Sequence, residues 1–414
     1  MKGLRRWAHD IAEGVKRMAG QDAESMHQAL IDDLVKRRLI KTAAVEAAFR
    51  AVPRHPFLPG VALEMIYKDE PVVTHYNADK QPISSSSQPA IMAIMLEMLA
   101  LESGQRVMEI GAGTGYNAAL MAQIVGTEGR VVAVDIDPDV INEADTHLRA
   151  AGIGGVSLVL GDGALGCEAF APYDRVILTV GAMDIAPAWR DQLVEGGLLV
   201  LPLSLRAAPR VFAFRRQGDM LPGVEVTMGG FMPLRGLGAP SEYTYTLHQT
   251  GGALWTDSAV PVDPAAVDAT MNAPFLDLPT GVTSDYMGTW SGYALWLELY
   301  APDFIHAPIR GEADGKRTLT QTCGLASSDG QVALVVPERG GRVLFVRQFA
   351  RSEMLAARLI AHLRDWQMAG SPTFDDDVQV SAYPLEMAIK ALPGSLRVAK
   401  RNMQYIVTMK ESFV

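Results

Sequence analysis

The sequence predicts an α/β protein: a doubly wound parallel sheet with a second, α+β domain on its C-terminal side. Three observations carry that prediction. Between residues 90 and 204, short and almost continuously apolar strands alternate with runs of helical periodicity. A glycine-rich turn joins the first of those strands to the helix after it. Beyond residue 240 the alternation gives way to short strands broken by turn dipeptides.

The elements follow in order. Leu4, Trp7, Ile11, Val15 and Met18 recur at spacings of three and four, which predicts an amphipathic helix over 4–18 with Arg5, Arg6, Lys16 and Arg17 around the stripe. Further helices are expected over 23–37 and 42–51, until Pro53, Pro56 and Pro59 stop helix formation. Residues 1–60 therefore read as an N-terminal helical segment. A helix from Ala90 to Leu101 leads to a strand at Arg106–Ile110 and a helix ending near Val125. Strands at Val131–Val134, Val156–Leu160, Arg175–Thr179 and Leu198–Leu203 then alternate with helices near 138–151 and 187–194. Arg210–Arg215 and Gly223–Thr227 read as strands completing the sheet, and the turn at Gly236-Leu237-Gly238-Ala239-Pro240 reads as the exit from a domain spanning 61–238. In 241–414, strands are expected near 242–248, 317–325, 330–336, 341–347, 378–383 and 396–409, with a helix over 352–367. The breaks at Asp329-Gly330 and Arg339-Gly340-Gly341 suit turns between them.

Composition excludes several classes. Apolar residues at 49% and charged residues at 20% suit a folded chain with buried cores. Thirty-seven Lys and Arg against 47 Asp and Glu leave a net charge of −10, which repels polyanions and argues against general nucleic-acid binding. Cys167 and Cys323 are far apart and make neither a disulfide framework nor a zinc motif, so a reducing, cytoplasmic setting is expected. No apolar run reaches the roughly 20 residues that span a bilayer, and the N-terminus lacks a secretory pattern. The eight histidines form no metal-binding spacing, and Asp375-Asp376-Asp377 reads as an acidic turn, so no metal is expected.

The chemistry concentrates in Glu109-Ile110-Gly111-Ala112-Gly113-Thr114-Gly115-Tyr116, which follows a buried strand and opens a helix. Glycines there permit a sharp turn and close ligand approach, beside the unpaired amides of a helix start. The next strand ends at Asp135, about 20 residues on, where an acid can hold a ribose diol. A nicotinamide dinucleotide and S-adenosylmethionine both use such an arrangement. The spacing G-x-G-x-G favours the second, as does Glu109, which would repel phosphates but attract an ammonium and a sulfonium. Asp162, in Leu160-Gly161-Asp162-Gly163, can accept the exocyclic amine of adenine. Ile136 and Gly163 complete the expected cofactor set.

Several separated motifs now converge. Ala51-Val52-Pro53-Arg54-His55-Pro56-Phe57-Leu58-Pro59, Ser87-Gln88-Pro89, Glu109 to Tyr116, Gly161-Asp162-Gly163, Leu199-Val200-Leu201-Pro202 and Phe231-Met232-Pro233-Leu234 occur in that order over about 25–235. In this the chain resembles the protein-L-isoaspartate O-methyltransferase family. The resemblance implies a Rossmann-like, class I S-adenosylmethionine-dependent methyltransferase core that methylates a carboxylate of a peptide or protein. It places the family's serine on Ser87, its cofactor loop on Glu109, Gly111, Gly113 and Gly115, its ribose acid on Asp135 and its adenine-side acid on Asp162. Ser87 also suits a cap for the helix after Pro89.

Two departures from the family shape the expected function. Val72 to Ser86 is longer than the usual approach to the serine, and Ser85-Ser86 replaces Thr-Ile. His75, Tyr76, Ser86 and Gln88 are the candidate peptide contacts there, with Lys80 beside them. Residues 241–414 form an extension resembling that of methyltransferases from ribosomally made peptide pathways, in which an aspartyl ester closes to an aspartimide. Trp290, Tyr293, Trp296 and Tyr300 recur at helical spacings and suit either stacking on a peptide or a core. The expectation is carboxyl methylation of an aspartyl or isoaspartyl residue, with a cyclised precursor as the substrate. Its rivals are general isoaspartyl repair and a cofactor-binding adaptor without turnover.

Overall fold

A computed structural model describes residues 22–205, 209–239, 244–256, 261–285, 288–313, 316–338, 342–373, 377–390 and 395–409. The helix expected over 4–18 lies outside them, as do Asp375, Asp376 and the turn at 339–341. The described residues divide into two compact units. One holds those up to Pro202 with Val211–Asp219 and Gly229–Ala239, and the other holds those of Leu203–Arg210, Met220–Met228 and 244 onward.

The first unit opens with helices α1 (22–36), α2 (Ala43–Ala51) and α3 (Leu63–Ile66), followed by strands β1 (Val72–Tyr76) and β2 (Pro82–Ser86). There follow α4 (Pro89–Leu99), β3 (Arg106–Ile110), α5 (Tyr116–Val125), β4 (Arg130–Asp135), α6 (Pro138–Ala150), β5 (Val156–Leu160), β6 (Tyr173–Leu178), α7 (Pro187–Asp191), β7 (Leu193–Ser204) and β8 (Pro209–Arg215). Within this unit the strand order is β8-β7-β6-β3-β4-β5. Strands β7, β6, β3, β4 and β5 run parallel, with Val107 opposite both Val131 and Arg175. Val107, Met108, Val132, Val134, Ile177 and Val200 are fully buried, as apolar strands covered by helices on both faces require. The doubly wound expectation thus holds.

The long approach to Ser87 is a hairpin rather than a loop. Val72 pairs with Ser86 and Tyr76 with Pro82, and Asn77 Oδ1 accepts the Asp79 and Gln81 amides at 3.0 and 2.8 Å to close the turn. Alternating short polar and β-branched residues around an Asn-centred turn favour this over a coil.

Helix α4 begins in a way the sequence does not suggest. Its N-cap residue is Gln88, whose side chain makes no cap bond. Asp69, distant in sequence, accepts the Ala90 amide at 2.9 Å and the Arg37 guanidinium at 2.8 Å. Ser87 is therefore not the cap of this helix.

In the second unit, β10 (Thr244–Thr246), β11 (Ala253–Trp255), β12 (Phe275–Thr283), β13 (Phe304–Ala313), β14 (Lys316–Ala326), β15 (Val332–Pro337) and β16 (Val343–Phe349) form a sheet ordered β10-β11-β13-β14-β15-β16-β12. Helix α8 (Pro264–Met271) precedes β12 and α9 (Ala294–Tyr300) precedes β13, while α10 (Glu353–Met368) buries Leu355, Leu359, Leu363 and Trp366. Strands β17 (Val378–Pro384), β18 (Leu396–Ala399) and β19 (Met403–Met409) follow, and β17 pairs with both β19 and β9 (Leu221–Met228). Neither β12 nor β13 is anticipated, because Pro279, Gly281, Pro308 and Gly311 interrupt their strand patterns. Of the aromatic run, Tyr293 is buried core against Trp366, and Tyr300 is 45% exposed beside Trp296. The Trp290 side chain lies outside the description. No helix among the described residues is long and apolar enough to cross a membrane.

The Asp69 cap gives a first prediction. Asp69→Ala should lower stability by about 1 kcal/mol, the typical worth of a lost cap, and Asp69→Asn by much less. Thermal unfolding of the two variants checks this, and equal transition temperatures for both would refute the capping role.

Candidate active site

The strand order reverses at β3, which has β4 on one side and β6 on the other. At such a point the helices before and after leave the sheet in opposite directions, opening a crevice at the carboxyl ends of the strands. The glycine turn sits there. Gly111, Gly113 and Gly115 have φ of 98°, 52° and 85°, a region costly for residues with a Cβ. The Gly111 amide donates to the Val134 carbonyl at 2.8 Å, while Thr179 Oγ1 donates to the Gly111 carbonyl at 2.7 Å. A Cβ at Gly111 would lie 2.8 Å from Thr179 Oγ1 and 2.9 Å from Val180 Cγ1, so the turn is sterically confined as well.

Beneath the turn, Glu109 is completely buried. Asn117 Nδ2, in the first turn of α5, donates to Glu109 Oε1 at 2.8 Å, and Oε2 has no partner among the described residues. Burial pushes the carboxyl up to about 8; the Asn117 bond opposes the shift and the nearby Asp135 adds to it. An orphaned oxygen on a buried acid calls for a cation with N–H donors. The ammonium of S-adenosylmethionine is one, and the turn carries no basic residue to neutralise a pyrophosphate. The residues present fit the cofactor expected from the sequence.

The two expected nucleoside acids are already engaged. Asp135 Oδ2 accepts the Gly113 amide at 3.3 Å, and its Oδ1 accepts the Asp137 amide at 3.1 Å and Arg235 Nη2 at 3.5 Å. Burial raises the Asp135 carboxyl, against the pull of those amides and of Arg235. Arg235 Nη1 also reaches Asp137 at 3.2 Å. Asp162 Oδ1 accepts the Ala164 amide at 2.9 Å and Oδ2 the Leu237 amide at 2.7 Å. The turn Gly236–Gly238, expected as a domain exit, thus folds onto Asp162. It is carried there by residues 232–234, which pair with Gly181. Ile136, 37% exposed, lies beside the same turn and offers an apolar surface next to the two acids. Gly163 is buried against Ile110, and its carbonyl accepts Trp189 Nε1 at 2.8 Å, which makes it a packing position.

The serine segment runs alongside the glycine turn: a Cβ at Gly113 would stand 3.5 Å from the Ser85 carbonyl oxygen. Ser87 is half-buried, its carbonyl accepts Arg54 Nη2 at 2.9 Å, and its hydroxyl has no partner among the described residues. Ser86 departs from expectation. It is only 3% exposed and its hydroxyl accepts Arg54 Nε at 3.3 Å, so it faces inward. Gln88 also turns away, donating Nε2 to the Asp69 carbonyl at 3.0 Å. His75 Nε2 meets Glu143 of α6 at 3.2 Å, which ties the hairpin to that helix, and Tyr76 stands 60% exposed near the hairpin tip. Among the described residues, no cluster of His, Cys, Asp or Glu could hold a metal ion.

Arg54, Asp69, Thr179 and Arg235 are the contributors that sequence reasoning missed. Arg54 lies within a quoted motif and Arg235 directly follows another, so motif membership was the available signal. Phe57 of the first motif packs on Tyr116 at 5.3 Å between ring centres, joining that motif to the start of α5.

A family model and curated relatives point to one family. The family model described as protein-L-isoaspartate(D-aspartate) O-methyltransferase matches residues 24–237. The Thermotoga maritima protein-L-isoaspartate O-methyltransferase is 38% identical over 182 residues, which is 43% of this chain and 57% of that protein. The Dictyoglomus thermophilum protein of the same name is 33% identical over 223 residues, 53% of this chain and 96% of its own. A solved protein-L-isoaspartate O-methyltransferase shares the fold with a TM-score of 0.50 and 23% identity, covering 86% of this chain and 96% of its own.

Glu109 supplies the second prediction. Its folded carboxyl holds its proton more tightly than the unfolded one, so the stability linked to that proton is full below the ordinary value of 4.5 and is lost as pH rises through about 8. Glu109→Gln, neutral throughout, should match the ligand-free wild type near pH 5 and unfold at a higher temperature at pH 9. Parallel curves of transition temperature against pH would refute the assignment. The same variant should bind S-adenosylmethionine about tenfold or more weakly at pH 9, a loss of roughly 1.4 kcal/mol, as read by calorimetry.

Proposed function

Because the chain belongs to the protein-L-isoaspartate(D-aspartate) O-methyltransferase family, whose cofactor is S-adenosyl-L-methionine, we propose that it methylates the carboxylate of isoaspartyl residues in proteins and peptides. The observation that carries the proposal is the Ser87 hydroxyl, uncommitted among the described residues, in a segment lying against the glycine turn.

The cofactor, when bound, supplies an electrophilic methyl on a sulfonium. Everything else falls to the chain. Glu109 and the glycine turn would hold the amino-acid end of the cofactor, and Asp135, Ile136 and Asp162 would hold the nucleoside end. A carboxylate nucleophile is already ionised at pH 7, so the chain needs no general base. What it must supply is orientation and the removal of water that blunts the nucleophile. The Ser87 hydroxyl donates to one carboxylate oxygen and leaves the other to attack. Asp162 would offer its remaining acceptor capacity to the adenine amine, held in place by the Ala164 and Leu237 amides.

The cyclised-precursor reading has weaker support than general isoaspartyl methylation. The long extension suggested it, but the family match, which ends at residue 237, lends the extension no support for that role. Aspartimide formation therefore stands as a separate question of product fate. Residues 241–414 are assigned to substrate choice within the same proposal.

Ser87→Ala should bind the cofactor within about twofold of wild type and lose on the order of 10²-fold in turnover, the scale of a lost positioning contact. A methyl-transfer assay paired with calorimetry reads both, and unchanged turnover would exclude the role. A panel of linear isoaspartyl peptides should be methylated faster than a cyclised aspartyl precursor. The opposite order would restore the precursor reading.

A further inference from the structure

The arginine in Val52-Pro53-Arg54-His55-Pro56 is completely buried, although it comes from a proline-rich connection rather than a core helix or strand. Burying a guanidinium costs several kcal/mol unless its donors are met. Here they are met almost wholly by neutral oxygens. Nη1 donates to the Ile66 carbonyl at 2.7 Å; Nη2 donates to the carbonyls of Ser87 at 2.9 Å and Ser86 at 3.2 Å. Nε and Nη2 share the Ser86 hydroxyl at 3.3 and 3.2 Å, and both terminal nitrogens approach the Glu70 carbonyl at 3.5 Å. No carboxylate pairs with Arg54 among the described residues. The acceptors on either side of the Ser86–Ser87 peptide are thus gripped by one rigid fork, which also anchors the chain that leads into Asp69.

We propose that Arg54 is the positioning residue for Ser87: by clamping the carbonyls of Ser86 and Ser87 it sets the direction in which the Ser87 hydroxyl meets the substrate carboxylate. The inference rests on the reading of Ser87 given above. A helix or strand would hold a serine through its own backbone ladder, but Ser87 lies between the end of β2 and the start of α4 and has no such ladder. The planar fork reaches several acceptors at fixed angles, which the point charge of a lysine cannot do. Ser86, expected from sequence to touch substrate, acts as part of the clamp.

A double-mutant cycle separates this role from mere structural support, because a residue that works through Ser87 has little left to affect once the hydroxyl is gone. Arg54→Lys should lower kcat about tenfold or more while leaving the peptide KM and the cofactor Kd within roughly threefold. In a Ser87→Ala background the same substitution should change kcat by less than about twofold. If Arg54→Lys does not fold, Ser86→Ala makes the same comparison. It removes one acceptor of the fork and should lower kcat a few-fold only while Ser87 is present. A drop by the same factor in both backgrounds, or no drop in either, overturns the proposal for Arg54 and leaves the Ser87 reading intact. Full turnover in Ser87→Ala alone overturns both.

Discussion

A single buried cation organises the approach to this site. The Arg54 guanidinium reaches oxygens of Ile66, Ser86 and Ser87, so two stretches of chain without a shared helix or sheet converge on one side chain. Hydrogen bonds to a charged donor are roughly twice as strong as neutral ones, and here several act together to offset the loss of hydration. The dependence is mutual. Without the arginine, buried carbonyls would be left without donors, at about 1–3 kcal/mol each. The proline-rich motif around Arg54 makes sense in this light: Pro53, Pro56 and Pro59 fix an irregular path that delivers Arg54 inward and sets Phe57 against Tyr116.

Beyond the clamp, the site is electrostatically incomplete by itself. Glu109 is sealed under the glycine turn with one bonded oxygen and one orphan, and burial keeps its proton on until about pH 8. A cationic ligand changes that balance, because an ammonium beside Glu109 favours the ionised form. At the two strand-end acids the chain supplies partners of its own: Arg235 for Asp135 and Asp137, and the Leu237 amide for Asp162. Both come from the stretch 235–237, so one short segment satisfies acids at the ends of two different strand loops.

The family model covers residues 24–237, most of which lie in the first unit. The approach to Ser87, expected to depart from the family, has a definite shape. What reads as an elongated loop is a hairpin, held to α6 through His75 and Glu143 and ending in an exposed Tyr76. Residues 72–86 thus build a defined element next to the glycine turn. The second unit has its own apolar cores, with Leu297, Phe304, Leu325 and Leu359 fully buried in one of them.

Local features alone determined the parallel sheet, the glycine turn, Asp135 at a strand end and Asp162 in the next loop. Strand and helix periods, positive-φ glycines and strand-end acids are set by residues close together in the chain, and these can be read in order. The hidden strands Phe275–Thr283 and Phe304–Ala313 fall short of this because proline and glycine break a pattern that pairing with β16 and β14 restores. Only the tertiary structure decided that Asp69, not Ser87, caps α4, that Ser86 faces inward and Gln88 bonds to Asp69, and that Arg54 and Arg235 reach the candidate site. Those outcomes depend on which distant groups share a desolvated space. Burial makes a hydrogen-bond partner obligatory, and the partner it selects is set by packing rather than by sequence neighbours.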